Sequence, residues 1–369
     1  MVKSATRILA ATIGVGGMVA AGLPAASAQQ AGPEVIASGL DNPRHLNFGA
    51  DGSLYVAEAG VGGSGTCVTG PEGEACFGRS GAVTRIRGGA ATRVLSGLPS
   101  LAGAGGMSAT GPTDIQVAAG GRFTMTMGLG NNPAVREQLP AAGHKFGTVI
   151  SGVFGSNRTQ VADIAAFEAA RDFDGQGLDS NPVGLAQQGD RHLVADAAAN
   201  AIFSVRSGGK MAVVATLPIR MVPTPPFMPP GQMPMQSVPT DVVVGPDGAF
   251  YISELTGFPF PTGEARIYRM RPGQQPTVYA TGLTNVTDLA WSGKSLYAVE
   301  LSSVGLLNEP PGQPPTGALV KVTPGATNHP VVAGGLTAPY GVAVRNGQGY
   351  VTTCAVCADA GAVVRVPLS

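Results

Sequence analysis

One hairpin-like stretch recurs along most of the sequence and constrains its fold more than any other feature. The clearest copy, SGLDNPRHLNFGADGSLYVAEAG, spans residues 38–60. Apolar residues alternate on both sides of Asp51-Gly52, which predicts two antiparallel strands joined by a type I′ turn. Five further copies begin near Pro112, Pro182, Pro239, Val286 and Pro339.

The repeat predicts an all-β, six-bladed propeller over residues 29–369. Most copies precede two more β-rich segments, such as GAVTRIRG and ATRVLSGL, so each unit is typical of a four-stranded meander. Copies start roughly 47 to 70 residues apart, which fits blades with inserted loops. The last copy lacks a fourth strand, and EVIASGL (34–40) is expected to supply it and close the ring. An open β-sandwich is the alternative, but it gives no reason for that match.

Residues 1–28 have the pattern of a secretory signal peptide. Lys3 and Arg7 precede the apolar run ILAATIGVGGMVAAGL, and the stretch ends Ala26-Ser27-Ala28. A membrane anchor is the alternative, but the run is Gly-rich and shorter than the roughly 20 residues that a span needs. We expect cleavage near Ala28 and a soluble mature protein, either secreted or periplasmic.

The cysteines fit an exported protein, because their number is even and such chains form disulfides. Cys67 and Cys76 flank a short insertion, and Cys354 and Cys357 form a CAVC motif. We expect each of these to pair internally. Because the first and last blades are neighbours in a ring, cross-blade pairing remains open. The CAVC motif follows a predicted strand, which disfavours the redox type that opens a helix.

The low charge of the chain argues against a nucleic-acid partner. Only 12% of residues are charged and the formal net charge is zero, so no basic surface is expected to hold a nucleic-acid backbone. We expect a monomer that binds a small molecule or a protein.

The insertions indicate where such a ligand binds. All follow the second strand of a unit and so leave one face of the ring: 60–79, 128–146, 255–264, 302–316 and 353–360. Insertions collected on one face are typical of a binding side. The residues expected to line this face are Arg44, His45, Asn181, Phe258, Phe260 and Tyr340.

Two further segments stand out. Residues 222–239, VPTPPFMPPGQMPMQSVP, are expected to be extended without a ladder of their own, as a packed flap or an exposed apolar lip. Residues 164–171 predict a helix, followed by DFDGQGLDSN. That run is similar to a calcium loop but has no Glu at its end, so solvated turn residues are the favoured interpretation.

Acidic residues at equivalent repeat positions predict a ring of carboxylates at the channel: Asp114, Asp241 and Asp288, with Glu58, Glu254 and Glu300. Clustered carboxylates repel one another unless a cation lies among them, and calcium suits such a set. Arg44 or His45 is the alternative source of positive charge, and simple turn capping is the alternative role. Neither G-x-S-x-G in a strand-to-helix context nor H-E-x-x-H occurs in the sequence.

The segments GLDNPRHLNFGADGSLYVAEAG, CVTGPEGEACFGRSGAVTRI, DSNPVGLA, SELTGFPFP and GLTAPYGVAV resemble the ScyD/ScyE family of exported proteins. The resemblance implies a propeller of the NHL or SMP-30 kind. It also implies a place outside the cytoplasm, in steps around an indolic pigment made by some bacteria. It implies no particular reaction.

We therefore expect an exported binding or accessory protein without established catalysis. The alternative is a metal-dependent, SMP-30-like hydrolase or lactonase that uses the axial carboxylates, although SGLDNP stands where those lactonases have E-G-P. A quinoprotein sugar dehydrogenase is a further alternative, since the opening of the repeat is similar to that family's first blade. His144 is the nearest match to the His-bearing loop that such enzymes need.

Overall fold

The computed structural model describes residues 32–368 and forms a six-bladed β-propeller. The predicted signal peptide, residues 1–28, lies outside the described residues. In chain order the strands are β1 (Glu34–Leu40), β2 (Pro43–Phe48), β3 (Leu54–Glu58), β4 (Cys67–Gly70), β5 (Gly73–Arg87), β6 (Ala90–Ala102), β7 (Pro112–Val117), β8 (Arg122–Met127), β9 (Thr148–Val153), β10 (Arg158–Asp163), β11 (Pro182–Gln188), β12 (Arg191–Asp196), β13 (Ala201–Arg206), β14 (Met211–Thr216), β15 (Arg220–Pro223), β16 (Gln232–Met235), β17 (Pro239–Val244), β18 (Phe250–Glu254), β19 (Ala265–Met270), β20 (Thr277–Leu283), β21 (Val286–Ser292), β22 (Ser295–Glu300), β23 (Thr316–Val322), β24 (Val331–Thr337), β25 (Val342–Arg345), β26 (Gln348–Thr353) and β27 (Gly361–Pro367).

Blades 1 to 5 begin with β2, β7, β11, β17 and β21, and each adds its later strands outward in an antiparallel order. These first strands contact one another around the ring, with β25 completing the circle against β2, so they line the axis. Helical segments are short: α1 (Ile164–Ala169), and 3₁₀ turns at Ala104–Gly106, Ala119–Gly121, Pro133–Gln138, Ala141–Lys145, Ser207–Gly209 and Leu306–Asn308. No helix of the described residues is long and apolar enough to cross a membrane.

The ring closes as the sequence predicts. Blade 6 consists of β25, β26 and β27, and β1 is its fourth strand. β1 pairs with β27 from Glu34 opposite Arg365 to Leu40 opposite Gly361. The two ends of the described chain therefore share one sheet.

Buried apolar residues lie between blades, because each blade packs its sheet faces against both neighbours. Six clusters bridge the six pairs of adjacent blades; Leu289 and Tyr251 join blades 4 and 5 in one of them, for example. A seventh cluster, around Phe77 and Phe146, lies under the 128–147 insertion. Burial of each large apolar side chain contributes about 1.5–3 kcal/mol, so blade-to-blade packing dominates the stability.

The hairpin turn of the first repeat differs from the predicted type I′. Gly52 has a φ of 80°, but Asp51 is not among the described residues with positive φ. The Gly52 N–H donates to the Gly49 carbonyl at 2.9 Å, and the Asp51 carboxylate accepts from the Ser53 N–H at 3.0 Å. This is a type I turn over residues 49–52 that ends in a left-handed Gly, and the side chain of Asp51, its third residue, stabilises it.

The expectation that residues 222–239 have no ladder is wrong. β15 and β16 pair as a separate hairpin, with Pro223 opposite Gln232 and Met221 opposite Pro234. A two-stranded sheet has only edge strands, so a Pro with its missing N–H on the outer side costs no ladder bond. The hairpin emerges between blades 3 and 4.

Both expected disulfides are present, Cys67–Cys76 and Cys354–Cys357. The first joins β4 to β5, so the blade 1 insertion is a stapled β-hairpin that extends the blade. The second joins two residues of the loop between β26 and β27.

Candidate functional site

Four titratable side chains meet on the axis. His45, Asp114, Asp241 and Asp288 occupy equivalent positions on the first strands of blades 1, 2, 4 and 5, and none is more than 5% exposed. Glycine stands near this level in the other two blades. A Cβ at Gly184 would lie 2.6 Å from the Cα of Asp241, and one at Gly341 would lie 2.8 Å from the Cα of His45. Any side chain at these two positions would therefore clash with the neighbouring blade.

Each aspartate binds the backbone of the following blade. The carboxylate oxygens accept from the N–H groups of Leu185 (Asp114, 2.8 Å), Leu289 (Asp241, 3.2 Å) and Val342 (Asp288, 2.6 Å). A buried hydrogen bond of this kind contributes about 0.5–1.5 kcal/mol, and more where the carboxyl group is ionised. The axial aspartates therefore join neighbouring blades, whatever else they do.

His45 brings the one basic group to this cluster. Its Nε2 lies 3.2 Å from the Thr287 carbonyl, while Nδ1 lies 3.5 Å from Asp114 Oδ2 and has no hydrogen-bond partner among the described residues. Burial would lower the pKa of His45, but the charges of Asp288, Asp114 and Asp241 together raise it well above its usual range. Burial, and then the charge of Asp288, raise the pKa of Asp241 well above normal. Three carboxylates and one imidazole thus compete for protons in a buried space.

The residues present fit a divalent transition-metal ion. Ligand atoms of His45, Asp114 and Asp241 all lie within 4.8 Å of one another. The 3.5 Å separation of His45 Nδ1 and Asp114 Oδ2 is too long for a good hydrogen bond. It is close to the spacing of two ligands that each bind one ion at about 2.0–2.2 Å. The carbonyl at Nε2 fixes the proton there and leaves Nδ1 free to bind, as in many metal-bound histidines.

The structure separates the glutamates of the predicted ring from the aspartates. Within residues 32–368, no group of close potential metal ligands includes Glu58, Glu254 or Glu300. All three stand at the end of a second strand and accept hydrogen bonds from the segment that precedes the first strand of their blade. Glu58 and Glu254 also pair with arginines, Arg93 at 2.8 Å and Arg220 at 2.7 Å. Their position supports turn capping.

Two cavities open beside the axis, on the face that carries the short turns between first and second strands. We call this the turn face. One cavity, of about 370 Å³, reaches from Asn47 and Trp291 down to the carboxylates of Asp114, Asp241 and Asp288. The other, of about 660 Å³, lies between blades 1 to 3. Solvent therefore approaches the axial cluster from the side opposite the insertions.

The second cavity carries polar groups that sequence reasoning missed. Asn47, Gln116, Gln187 and His192 line it. His192 Nδ1 has no partner among the described residues, and burial lowers the pKa of this ring. In the sequence, these polar residues were visible only as an alternation of polar and apolar residues near the ends of the first strands, which does not by itself predict a cavity.

The insertion face, where the long loops leave the ring, holds the remaining predicted residues. The Arg44 guanidinium lies 4.8 Å from the centre of the Tyr340 ring and donates to the Ala109 carbonyl at 2.6 Å. Tyr340 also lies 5.2 Å from the His45 ring, so these two side chains cover the axial cluster on this side. Asn181 Oδ1 accepts from the Leu129 N–H at 3.1 Å, which is a structural role.

An exposed aromatic lip, consisting of Phe227, Phe258 and Phe260, stands on the same face. Phe227 is 71% exposed and Phe258 41% exposed, and their ring centres are 6.5 Å apart. Phe258 and Phe260 are 6.2 Å apart at their ring centres. Arg220 ties the hairpin to blade 4 through ion pairs to Glu254 at 2.7 Å and Glu264 at 3.2 Å. The lip is therefore held on an anchored hairpin.

The comparisons with known proteins identify the fold. The aldose sugar dehydrogenase of Escherichia coli, in its apo-form, matches with a TM-score of 0.53 and 14% identity over 91% of this chain and 99% of that one. A Bacteroides thetaiotaomicron protein of unknown function matches with a TM-score of 0.50 and 10% identity over 92% of this chain and 74% of that one. Virginiamycin B lyase of Staphylococcus aureus matches with a TM-score of 0.47 and 10% identity over 91% and 98%. These neighbours are β-propellers, some of them enzymes, and the likeness is one of fold. No protein-family profile and no curated protein sequence matches the chain.

Proposed function

We propose that this chain is an exported β-propeller of the ScyD/ScyE family and acts as a binding or accessory protein, with its ligand on the insertion face. The aromatic lip is the observation that carries the proposal. Contiguous exposed apolar surface is rare on monomeric proteins and usually marks an interaction site. The two disulfides support export, since such bonds persist in oxidising compartments.

The chemistry of the lip favours an uncharged ligand with a flat apolar ring system. Three phenyl rings supply faces and edges for stacking, which is worth about 0.5–1.5 kcal/mol for each aromatic pair. The charged groups beside the hairpin, Arg220 and Glu264, are paired with each other. Because these two charges neutralise each other, that ion pair offers no free charge to attract a charged ligand.

A titration with Nile red, a neutral planar fluorescent probe, tests this role. We expect the double variant Phe227→Ser with Phe258→Ser to bind the probe at least about tenfold more weakly than the wild type. The matched control is Val331→Ser, because Val331 is 64% exposed on an outer strand away from the lip. Unchanged binding by the double variant, or an equal loss in the control, would contradict the proposal.

One observation favours a second function, metal-dependent hydrolysis at the axis. His45 Nδ1 has no hydrogen-bond partner in the part of the chain that the structure describes, and a ring nitrogen of His45 lies within 4.8 Å of carboxylate oxygens of Asp114 and Asp241. These three residues would hold the ion, and Asp288 would orient the carboxyl of Asp241. A bound zinc or manganese ion would lower the pKa of a water molecule and polarise a carbonyl. Substrate would enter from the turn face.

Elemental analysis of the purified mature protein tests this second function, followed by thermal melts with and without chelator. Stoichiometric zinc or manganese, and a lower melting temperature on its removal, are the expected results. The metal-loaded protein should then hydrolyse simple lactones or chromogenic esters, and Asp241→Asn should abolish that activity. A protein that takes up neither metal under saturating conditions excludes the hydrolase and leaves the binding function untouched.

A further inference from the structure

We propose that the connection between blades 2 and 3 binds one calcium ion through the carboxylates of Glu168, Asp172 and Asp174. This site is separate from the axial cluster and from the aromatic lip. Potential ligand oxygens of all three residues lie within 4.8 Å of one another. Glu168 comes from α1, and the two aspartates come from the loop that follows it.

The strongest pointer to an ion is Glu168. This side chain is fully buried, at 0% exposure, yet its Oε2 has no hydrogen-bond partner within residues 32–368. The other oxygen, Oε1, accepts a hydrogen bond from the Phe173 N–H at 3.2 Å. A buried carboxylate oxygen without a partner is costly, because it has lost its water and gained nothing in exchange. A cation bound among Glu168, Asp172 and Asp174 would satisfy it.

The surrounding charge points the same way. Two more carboxylates lie nearby. The charge of Asp196 acts on both Glu168 and Asp179. Within residues 32–368 none of these five carboxylates forms an ion pair with Lys, Arg or His. The neighbouring Arg171 instead lies over the ring of Phe167, 5.3 Å from its centre. Five acidic groups without a basic partner form a site of strong negative potential.

The loop backbone already holds the carboxylates toward one side. Gly177 N–H donates to Asp172 Oδ1 at 3.3 Å, and Gln176 N–H donates to Asp174 Oδ1 at 2.9 Å. Asn200 Nδ2 donates to the other oxygen of Asp174 at 2.6 Å. The loop is thus fixed at both aspartates before any ion binds.

The donor set selects calcium over the ions suited to the axis. Every donor in this group is a carboxylate oxygen, and Ca²⁺ takes 6–8 oxygen ligands in flexible geometry. The loop is partly exposed, so water could reach a bound ion and complete its coordination. The sequence alone favoured a solvated turn because no Glu follows the loop. The structure shows that the glutamate precedes the loop and enters from α1.

Isothermal titration of chelator-treated protein with Ca²⁺, in excess Mg²⁺, tests the site. We expect one Ca²⁺ per chain and a higher melting temperature with calcium. Asp172→Asn and Glu168→Gln should each weaken binding at least about tenfold, because each removes one charged ligand. The matched control is Asp190→Asn, an exposed turn residue outside the cluster, which should bind calcium as the wild type does.

Three outcomes would overturn the proposal. The wild type shows no calcium heat and no thermal shift; Asp172→Asn binds calcium as tightly as the wild type; or Asp190→Asn loses binding equally. Asp172 lies on a partly exposed loop, so this variant is expected to fold, and circular dichroism checks that it does. The calcium titration is independent of the two tests described above: the protein can fail to bind a metal at the axis, or Nile red at the aromatic lip, and still bind calcium here.

Discussion

Glu58 and Glu300 occupy the same position in blades 1 and 5, but the structure predicts opposite results when each is replaced by glutamine. Glu58 accepts from the Asp41 N–H at 2.8 Å, from Thr84 Oγ1 at 2.5 Å and from Arg93 at 2.8 Å. Glu300 accepts from the Thr284 N–H at 2.9 Å and forms no ion pair within residues 32–368. Burial raises the pKa of Glu300 to about 7.

The pKa of Glu300 sets the sign and size of its effect. Because the folded state holds this proton more tightly than the unfolded chain, stability from Glu300 is complete below about pH 4.5 and is lost as the pH rises through about 7. The difference between these two pKa values lowers the free energy of unfolding by ~3 kcal/mol at pH ~8. Glu300→Gln removes the ionisation while its amide oxygen still accepts from Thr284. We expect this variant to be more stable by ~2–3 kcal/mol at pH ~8 and nearly neutral at pH ~4.

Glu58→Gln should destabilise instead, because it breaks the buried ion pair between Glu58 and Arg93 and leaves Asp41, at 2.7 Å, as the remaining charged partner of Arg93. Breaking a buried pair costs about 3–5 kcal/mol. The Arg93 side chain is 43% exposed, so water screens part of the loss and we expect ~2 kcal/mol. Equilibrium urea denaturation of both variants and the wild type, across that pH range, measures these differences. A Glu300→Gln effect that does not grow with pH, or a Glu300→Gln variant less stable than Glu58→Gln at pH ~8, would refute the reasoning.

Two further predictions concern covalent and steric constraints. Replacing Cys67 and Cys76 together by alanine should lower the free energy of unfolding by ~2–3 kcal/mol, because the disulfide closes a loop of about ten residues; chemical denaturation under oxidising conditions measures it. Gly184→Ala should cost more than ~3 kcal/mol, since the new methyl group would lie 2.6 Å from the backbone of Asp241. Gly231→Ala meets nothing closer than 4.0 Å and should change the melting temperature little.

The propeller was predictable because its units repeat. Six copies with the same alternation of apolar residues leave few folds that bury every unit, and the match of EVIASGL to a fourth strand specified the closure. The pairing of β15 with β16 was not predictable from composition. Proline usually argues against a ladder, and only the register of Pro223 and Pro234 on outer edges makes one acceptable here.

The candidate site was predictable only in part. Asp114, Asp241 and Asp288 share a repeat position, so one observation about the sequence located all three. The glutamates share a position as well, but the sequence did not indicate that their partners would be backbone amides of the same blade. Arg93 and Arg220 lie on an outer strand and on an insertion, and no spacing in the sequence associates them with Glu58 and Glu254.

The same limit applied to the calcium loop. Glu168 precedes Asp172 by one helical turn, and periodic patterns do not reveal that α1 aims this carboxylate at the loop after it. The unpartnered oxygen is visible only once the surrounding side chains are placed.

Closure of the ring by β1 has a consequence for how the chain matures. β1 pairs with β27, more than 300 residues later, so blade 6 stays incomplete until β27 has been synthesised. Domains generally fold as units during synthesis, yet here the final step joins the earliest described strand to the latest. A chain truncated before residue 361 would leave β1 without its partner and expose a sheet edge to other molecules. The pairing of β1 with β27 therefore distinguishes chains that include β27 from chains that end before it: we expect the shorter products to aggregate or be degraded, whereas chains that include β27 resist both.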